Sequence, residues 1–126
     1  MRTILIIDDN QDAADMLREL LQLEGHQVTV AYGARHGLEK LRALSPEIVF
    51  IDIGMPEMNG YELAAVIRRD EGLQQPYLIA FTAWDDMLSI SSAIKAGFDR
   101  HLKKTSSFEQ LMSAVREIGN TPLATV

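Results

Sequence analysis

Five times along this 126-residue chain, a short run of β-branched, aliphatic and aromatic residues is followed by a segment with helical spacing. The runs are Thr3–Ile7, Gln27–Ala31, Ile48–Ile51, Tyr77–Phe81 and Phe98–Leu102. Strands that alternate with helices over short connections predict an α/β fold, with a parallel sheet covered on both faces. Buried parallel strands read as near-continuous apolar runs, as most of these do. The fifth is interrupted by Asp99, Arg100 and His101, which suits an edge strand. Right-handed crossovers narrow the topology further.

The helices are expected between the strands. Asn10 is placed to cap the first, with Leu17, Leu20 and Leu21 inward and Gly25 just past its end. Ala34, Leu38 and Leu41 space a second, stopped by Ser45-Pro46. Leu63, Val66 and Ile67 space a third, ending near Gly72. Ile90, Ala93, Ile94 and Gly97 space a fourth. Phe108, Leu111, Met112, Val115 and Ile118 space a fifth. One domain over 1–120 is expected, with 121–126 as a tail.

Composition removes several classes of function. There is no cysteine, so no disulfide, thiolate nucleophile or thiolate-bound metal is available. That is compatible with a reducing, cytoplasmic home. No apolar run approaches the ~18 residues of a membrane span, and Ile4–Ile7 is cut off by Asp8 and Asp9. Twelve basic against eighteen acidic residues leave a net charge of −6, which disfavours direct contact with nucleic acid. Charge is uneven: Asp8, Asp9, Asp12, Asp15, Glu19 and Glu24 crowd the first 24 residues. Lys95, Arg100, Lys103 and Lys104 face Asp99 alone over 95–104.

In open parallel sheets the site lies at the carboxyl ends of the strands. There the chain carries Asp8 and Asp9, Asp52, Thr82, and then Lys103 and Lys104. Singly, each reads as a helix cap, a turn hydroxyl or a solvated lysine. Together they read differently. Two carboxylates ~4 Å apart repel by about 4 kcal/mol at an effective dielectric near 20. A cluster of three therefore needs a cation or a raised pKa. A hard divalent ion with oxygen ligands, magnesium or else manganese, meets that need. Carboxylates, a hydroxyl and an ammonium at one sheet edge suit a phosphoryl group.

Four blocks carry a family likeness. They are Ile-Ile-Asp8-Asp9-Asn10; Ile-Asp52-Ile-Gly-Met-Pro56-Glu-Met-Asn-Gly60-Tyr-Glu-Leu; Phe-Thr82-Ala83; and Ala-Gly97-Phe-Asp-Arg-His-Leu-Lys-Lys104. In order and each at a strand end, they resemble the receiver domain of two-component response regulators over roughly residues 3–118. The resemblance implies a flavodoxin-like (βα)5 doubly wound sheet of order 2-1-3-4-5. It implies that Asp52 accepts a phosphoryl group from a phosphohistidine on a kinase or phosphotransfer protein. Asp9, Asp52 and the carbonyl of Gly54 would ligate magnesium, with Asp8 acting through water. Lys104 would pair with the phosphoryl group, Thr82 would swing toward it, and backbone N–H groups near Ile53 and Ala83 would donate to it. Pro56 and Gly60 would shape the loop that carries Gly54.

The chain departs from the family at Thr105, where proline with a cis peptide is usual. A cis bond to a non-proline residue costs about 3–4 kcal/mol, so either the bond is trans with a reshaped loop or strain is retained. Lys103 is the substitute if Lys104 is displaced. His101 stands where the family has Tyr or Phe, a ring that turns inward on activation; histidine there adds pH sensitivity. Trp84 and Gly54, each two residues past a site residue, occupy positions that in the family line the approach to the phosphoryl group. His26 and His36 are read as surface residues.

The segment after Lys104 suffices for one helix and a tail, so output is expected through protein contact. The resemblance assigns that contact to the fourth helix, fifth strand and fifth helix, including Ile90, Arg100, Lys103 and Trp84. The chain is expected to be either a stand-alone regulator or a receiver cut from a hybrid kinase. Two other readings stay open: a degenerate receiver that binds partners without phosphorylation, and a magnesium-dependent phosphatase with an aspartyl nucleophile. The second lacks the acid–base Asp that Gly54 replaces. Flavin binding lacks a phosphate-cradling loop after the first strand.

Overall fold

The computed structural model describes residues 1–84 and 86–120. The elements run β1 (Thr3–Ile7), α1 (Gln11–Leu23), β2 (Gln27–Ala31), α2 (Ala34–Leu44), β3 (Ile48–Ile51), α3 (Gly60–Arg69), β4 (Tyr77–Thr82), α4 (Met87–Ala96), β5 (Arg100–Lys103) and α5 (Phe108–Asn120). All neighbouring strands are parallel, in the order β2-β1-β3-β4-β5. This is the doubly wound architecture expected from the alternation. The tail over 121–126 lies outside the described residues.

The central strands are apolar throughout because both faces are covered. Successive side chains point to opposite faces of a sheet. Leu5, Ile7, Val49, Ile51, Leu78 and Ala80 join one buried cluster with Leu41, Leu63 and Ile67 of α2 and α3. Ile4, Ile6, Ile48, Phe50, Ile79 and Phe81 join a second, with Leu17 and Leu21 of α1 and Leu111, Met112 and Val115 of α5. Each fully buried Leu, Ile or Phe contributes about 1.5–3 kcal/mol over an exposed one. Phe50 and Phe81 meet edge to face at 5.9 Å under α1 and α5.

Local chemistry sets the helix ends. Asn10 caps α1 by accepting from the Ala13 N–H at 3.1 Å. Asn59 and Glu62 form a reciprocal capping box at the start of α3. Ser45 ends α2 in the left-handed conformation, φ 46°, just before Pro46.

Three boundaries and the rotation of one helix differ from the sequence expectation. α3 stops at Arg69, with Asp70 as its cap, rather than near Gly72. β4 extends to include Thr82. β5 starts at Arg100, not Phe98, because the Phe98 N–H is spent on the Ala93 carbonyl in closing α4. The fourth helix also does not turn Ile94 inward: Ile94 is 67% exposed, Ile90 is half-buried, and Ala93 is the buried side chain. Ala93 and Phe98 both enter the core on that face, so the end of the sheet is already filled.

Gly60 is needed for space rather than for a turn. A Cβ there would lie 2.6 Å from the Asp52 carbonyl oxygen and 2.8 Å from the Ile53 Cα. Backbone cannot yield as a flexible side chain can. We expect Gly60→Ala to lower stability by about 1–3 kcal/mol in urea denaturation and to weaken divalent-ion binding at Asp52. Unchanged stability and binding would show that α3 does not press on the Asp52 segment.

Candidate functional site

Parallel pairing brings the ends of β1, β3, β4 and β5 to one edge. The Asp8 N–H donates to Ala31 and the Asp52 N–H to Ile7, which continues the ladder one residue beyond the strands. Asp8 is 2% exposed and Asp52 8%, whereas Asp9 is exposed. Asp8, Asp9 and Asp52 each offer an oxygen within 4.8 Å of the others.

One ammonium answers this cluster. Lys104 Nζ lies 2.9 Å from Asp8 Oδ2 and 3.4 Å from Asp52 Oδ1. The Lys104–Thr105 bond is trans, and Lys104 is held by its own N–H, which donates to the Thr82 carbonyl at 2.7 Å. Lys103, the alternative, is exposed at the end of β5. Asp8 is doubly fixed, since its Oδ1 also accepts from the Asn10 N–H at 2.9 Å.

Three acids against one base leave an excess of negative charge. Burial, then the neighbouring Asp8 charge, push the Asp52 carboxyl up from its ordinary 3.8 to about 6, while Lys104 pulls the other way. Burial lowers the Lys104 pKa, but the hydrogen bond to Asp8 and the charges of Asp52 and Asp8 outweigh it, so the ammonium is raised overall. The donor set is all hard oxygen and under-neutralised, which fits a small divalent cation and suits no softer metal.

Thr82 is buried, and its Oγ1 accepts from the Trp84 N–H at 3.3 Å. Its hydroxyl is thus engaged with the following loop. Ile53 is buried and Ala83 exposed, each directly following a site residue. Trp84 is half-exposed, and its indole lies over Gly54: a Cβ on Gly54 would come 3.2 Å from Trp84 Cη2. The sequence marked both positions as lining the approach; their mutual contact depends on loop geometry and could not be read from spacing.

His101 sits opposite Ala80 in the sheet, with Nε2 buried and without a hydrogen-bond partner among the described residues. Ile90 and Arg100 stand apart from the carboxylates. Arg100 pairs with Glu117 of α5 at 2.7 Å, and Ile90 lies on α4. The cations of 95–104 therefore do not form one patch: Lys104 turns into the acid cluster and Arg100 toward α5. Two residues with no sequence signal also emerge, Tyr61 and Arg68 of α3, which reach across to α4.

The profile of the response regulator receiver domain matches residues 4–116. An uncharacterised 14.6 kDa protein of Leptolyngbya boryana is 34% identical over 114 residues, covering 90% of this chain and 87% of that one. The DNA-binding response regulator MtrA of Mycobacterium tuberculosis is 30% identical over 113 residues, and this chain spans only about half of its length (48%). The crystal structure of a two-component response regulator from Clostridium difficile superposes with a TM-score of 0.88 at 25% identity, over 96% of this chain and 98% of that one. The chain belongs to the response regulator receiver domain family. No helix among the described residues is long and apolar enough to cross a membrane.

The raised Asp52 pKa has a stability consequence in metal-free protein. Its protonated form is favoured on folding, so its contribution is fully present below pH ~4 and is lost as pH rises through about 6. A displacement of about two units corresponds to roughly 3 kcal/mol. Asp52→Asn should remove this part of the pH dependence and stabilise the metal-free protein at pH 7 by up to that amount. Urea melts between pH 4.5 and 7.5 would decide it, parallel curves for the two proteins being the contrary result.

Proposed function

We propose that the protein is a phosphorylation-driven switch of a two-component phosphorelay, with Asp52 as the phosphoacceptor. The observation that carries this reading is a buried carboxylate at the sheet edge with an ammonium 3.4 Å away and two further carboxylates beside it. A carboxylate so placed is a nucleophile with its charge environment already built.

In the proposed reaction a kinase or phosphotransfer protein presents a phosphohistidine. An Asp52 oxygen attacks phosphorus, the phosphorus–nitrogen bond breaks, and the imidazole leaves with the electron pair and takes a proton. Lys104 neutralises phosphoryl oxygens. The N–H groups of Ile53 and Ala83 donate to them. Asp9, Asp52 and the Gly54 carbonyl would hold magnesium or manganese, with Asp8 assisting through water. The bound cation supplies positive charge against the transferring group. The chain would thus catalyse only its own phosphorylation and dephosphorylation.

Phosphorylation adds a charge of about −1.5 to −2 and three strong acceptors. The Thr82 hydroxyl, now bonded to the Trp84 N–H, would exchange that partner for the phosphoryl group and draw the loop inward. His101 would follow, filling space beneath the loop. Output would pass to a downstream protein through the face of α4, β5 and α5, with Ile90, Arg100, Lys103 and Trp84 as contacts, in the cytoplasm.

Incubation with acetyl phosphate and magnesium should add the mass of one phosphoryl group, and Asp52→Asn should abolish the gain. Equal labelling of that variant would remove Asp52 as acceptor. Lys104→Ala should leave magnesium binding largely intact, read by Trp84 fluorescence, while slowing phosphorylation by on the order of 10²-fold. An unchanged rate would assign the counter-charge elsewhere.

A further inference from the structure

Helix α4 is held in a different way from the other helices. Ala93 is its buried side chain, while Met87 is 87%, Leu88 80% and Ile94 67% exposed. Of its large apolar residues only Ile90 is half-buried, and Met87, Leu88 and Ile94 point away from the protein, so packing fastens it weakly.

Among the described residues, two polar ties from α3 reach it instead. Tyr61 Oη donates to the Ser89 carbonyl at 3.2 Å, in the first turn of α4. Arg68 Nε donates to the Gly97 carbonyl at 2.8 Å, just past the last turn. Residues 61 and 68 are two helical turns apart and share a face of α3.

The two ties are unequal. Arg68 is charged, and its guanidinium also donates to the Pro76 carbonyl at 2.9 Å and to Asp99 Oδ2 at 2.6 Å. That Asp99 oxygen accepts in turn from the Leu78 N–H at 2.8 Å. This end is locked to the sheet. The close fit of Gly97, where a Cβ would meet Arg68 Cγ at 2.6 Å, keeps it tight. Tyr61 offers one neutral, half-buried hydrogen bond, which biases an equilibrium only about five-fold.

The weak tie lies next to the site. Gly60, one residue before Tyr61, donates its N–H to the Ile53 carbonyl at 2.9 Å and rests against the Asp52 carbonyl. Any displacement of the Asp52–Ile53 segment moves the base of Tyr61.

We propose that Tyr61 is a releasable latch on α4 and that the Arg68–Gly97 contact is its pivot. When the Tyr61–Ser89 bond opens, the N-terminal half of α4 swings away from α3 while its C-terminal end stays pinned. Coupling of this latch to Asp52 rests on the phosphoacceptor reading; the latch itself does not.

Hydrogen exchange on metal-free protein tests the latch. Tyr61→Phe keeps the ring and removes only the hydroxyl. Amides over 87–92 should exchange about five-fold faster in that variant, with β1 and β3 unchanged. Equal exchange over 87–92, or an increase spread evenly through the chain, would overturn the latch. Titration with beryllofluoride and magnesium tests the coupling. Tyr61→Phe should bind up to about five-fold more tightly than the wild type, and equal affinity would overturn the link to Asp52. A wild type that binds no beryllofluoride would count against the phosphoacceptor reading and leave the exchange result standing.

Discussion

The site is organised by an electrostatic imbalance at the carboxyl edge of the sheet. Asp8, Asp9 and Asp52 converge there and, among the described residues, Lys104 is the cation that answers them. Such a cluster is tolerated because the strands beneath it are packed on both faces, so the backbone has no freedom to spread the carboxylates. The consequence is visible in Asp52, whose carboxyl is raised to about 6 by burial and by Asp8. The edge is therefore set to gain free energy from any added cation, and to respond sharply to any change of charge on Asp52.

That imbalance accounts for features that look unrelated in the chain. Lys104 can reach both Asp8 and Asp52 because its backbone is tied to Thr82 one strand away. Gly60 has no side chain because α3 must start against the Asp52 carbonyl. Gly54 leaves room for the Trp84 indole, which lies against it. Each is a device for holding the loops at fixed distance from the charge cluster. The basic residues of 95–104 look like one patch in the sequence, yet they divide: Arg100 turns to Glu117 of α5, while Lys104, one residue past the end of β5, turns into the acid cluster.

Much of this was legible in the sequence, for a physical reason. Strand ends can be counted from apolar runs, and a parallel sheet brings strand ends together, so Asp8, Asp9, Asp52, Thr82 and Lys104 could be grouped without coordinates. Helix faces on the outer edge could not be read so well. The spacing of Ile90, Ala93 and Ile94 indicates a helix but not which way it is rotated, and Ala93 with Phe98, not Ile94, enters the core. The start of β5 was misplaced because the Phe98 N–H closes α4, a choice made by backbone geometry. Tyr61 and Arg68 carried no signal, since their ties to α4 end on the main-chain carbonyls of Ser89 and Gly97, and any residue supplies a carbonyl.

The contrast between the sheet and α4 explains how one chain can be both rigid and responsive. Fully buried side chains in β1, β3 and β4 are each worth about 1.5–3 kcal/mol, so the carboxylate edge does not wander. α4 gives up that kind of fastening, turning Met87, Leu88 and Ile94 outward and leaning on Ala93. What remains is polar contact from α3, of the order of 1 kcal/mol for the neutral tie. A switch requires a gap this small, because adding charge at one residue can only move an equilibrium by the difference it makes to the two states. In the proposed switch, an α4 packed like α3 would leave the charge added at Asp52 with nothing it could move.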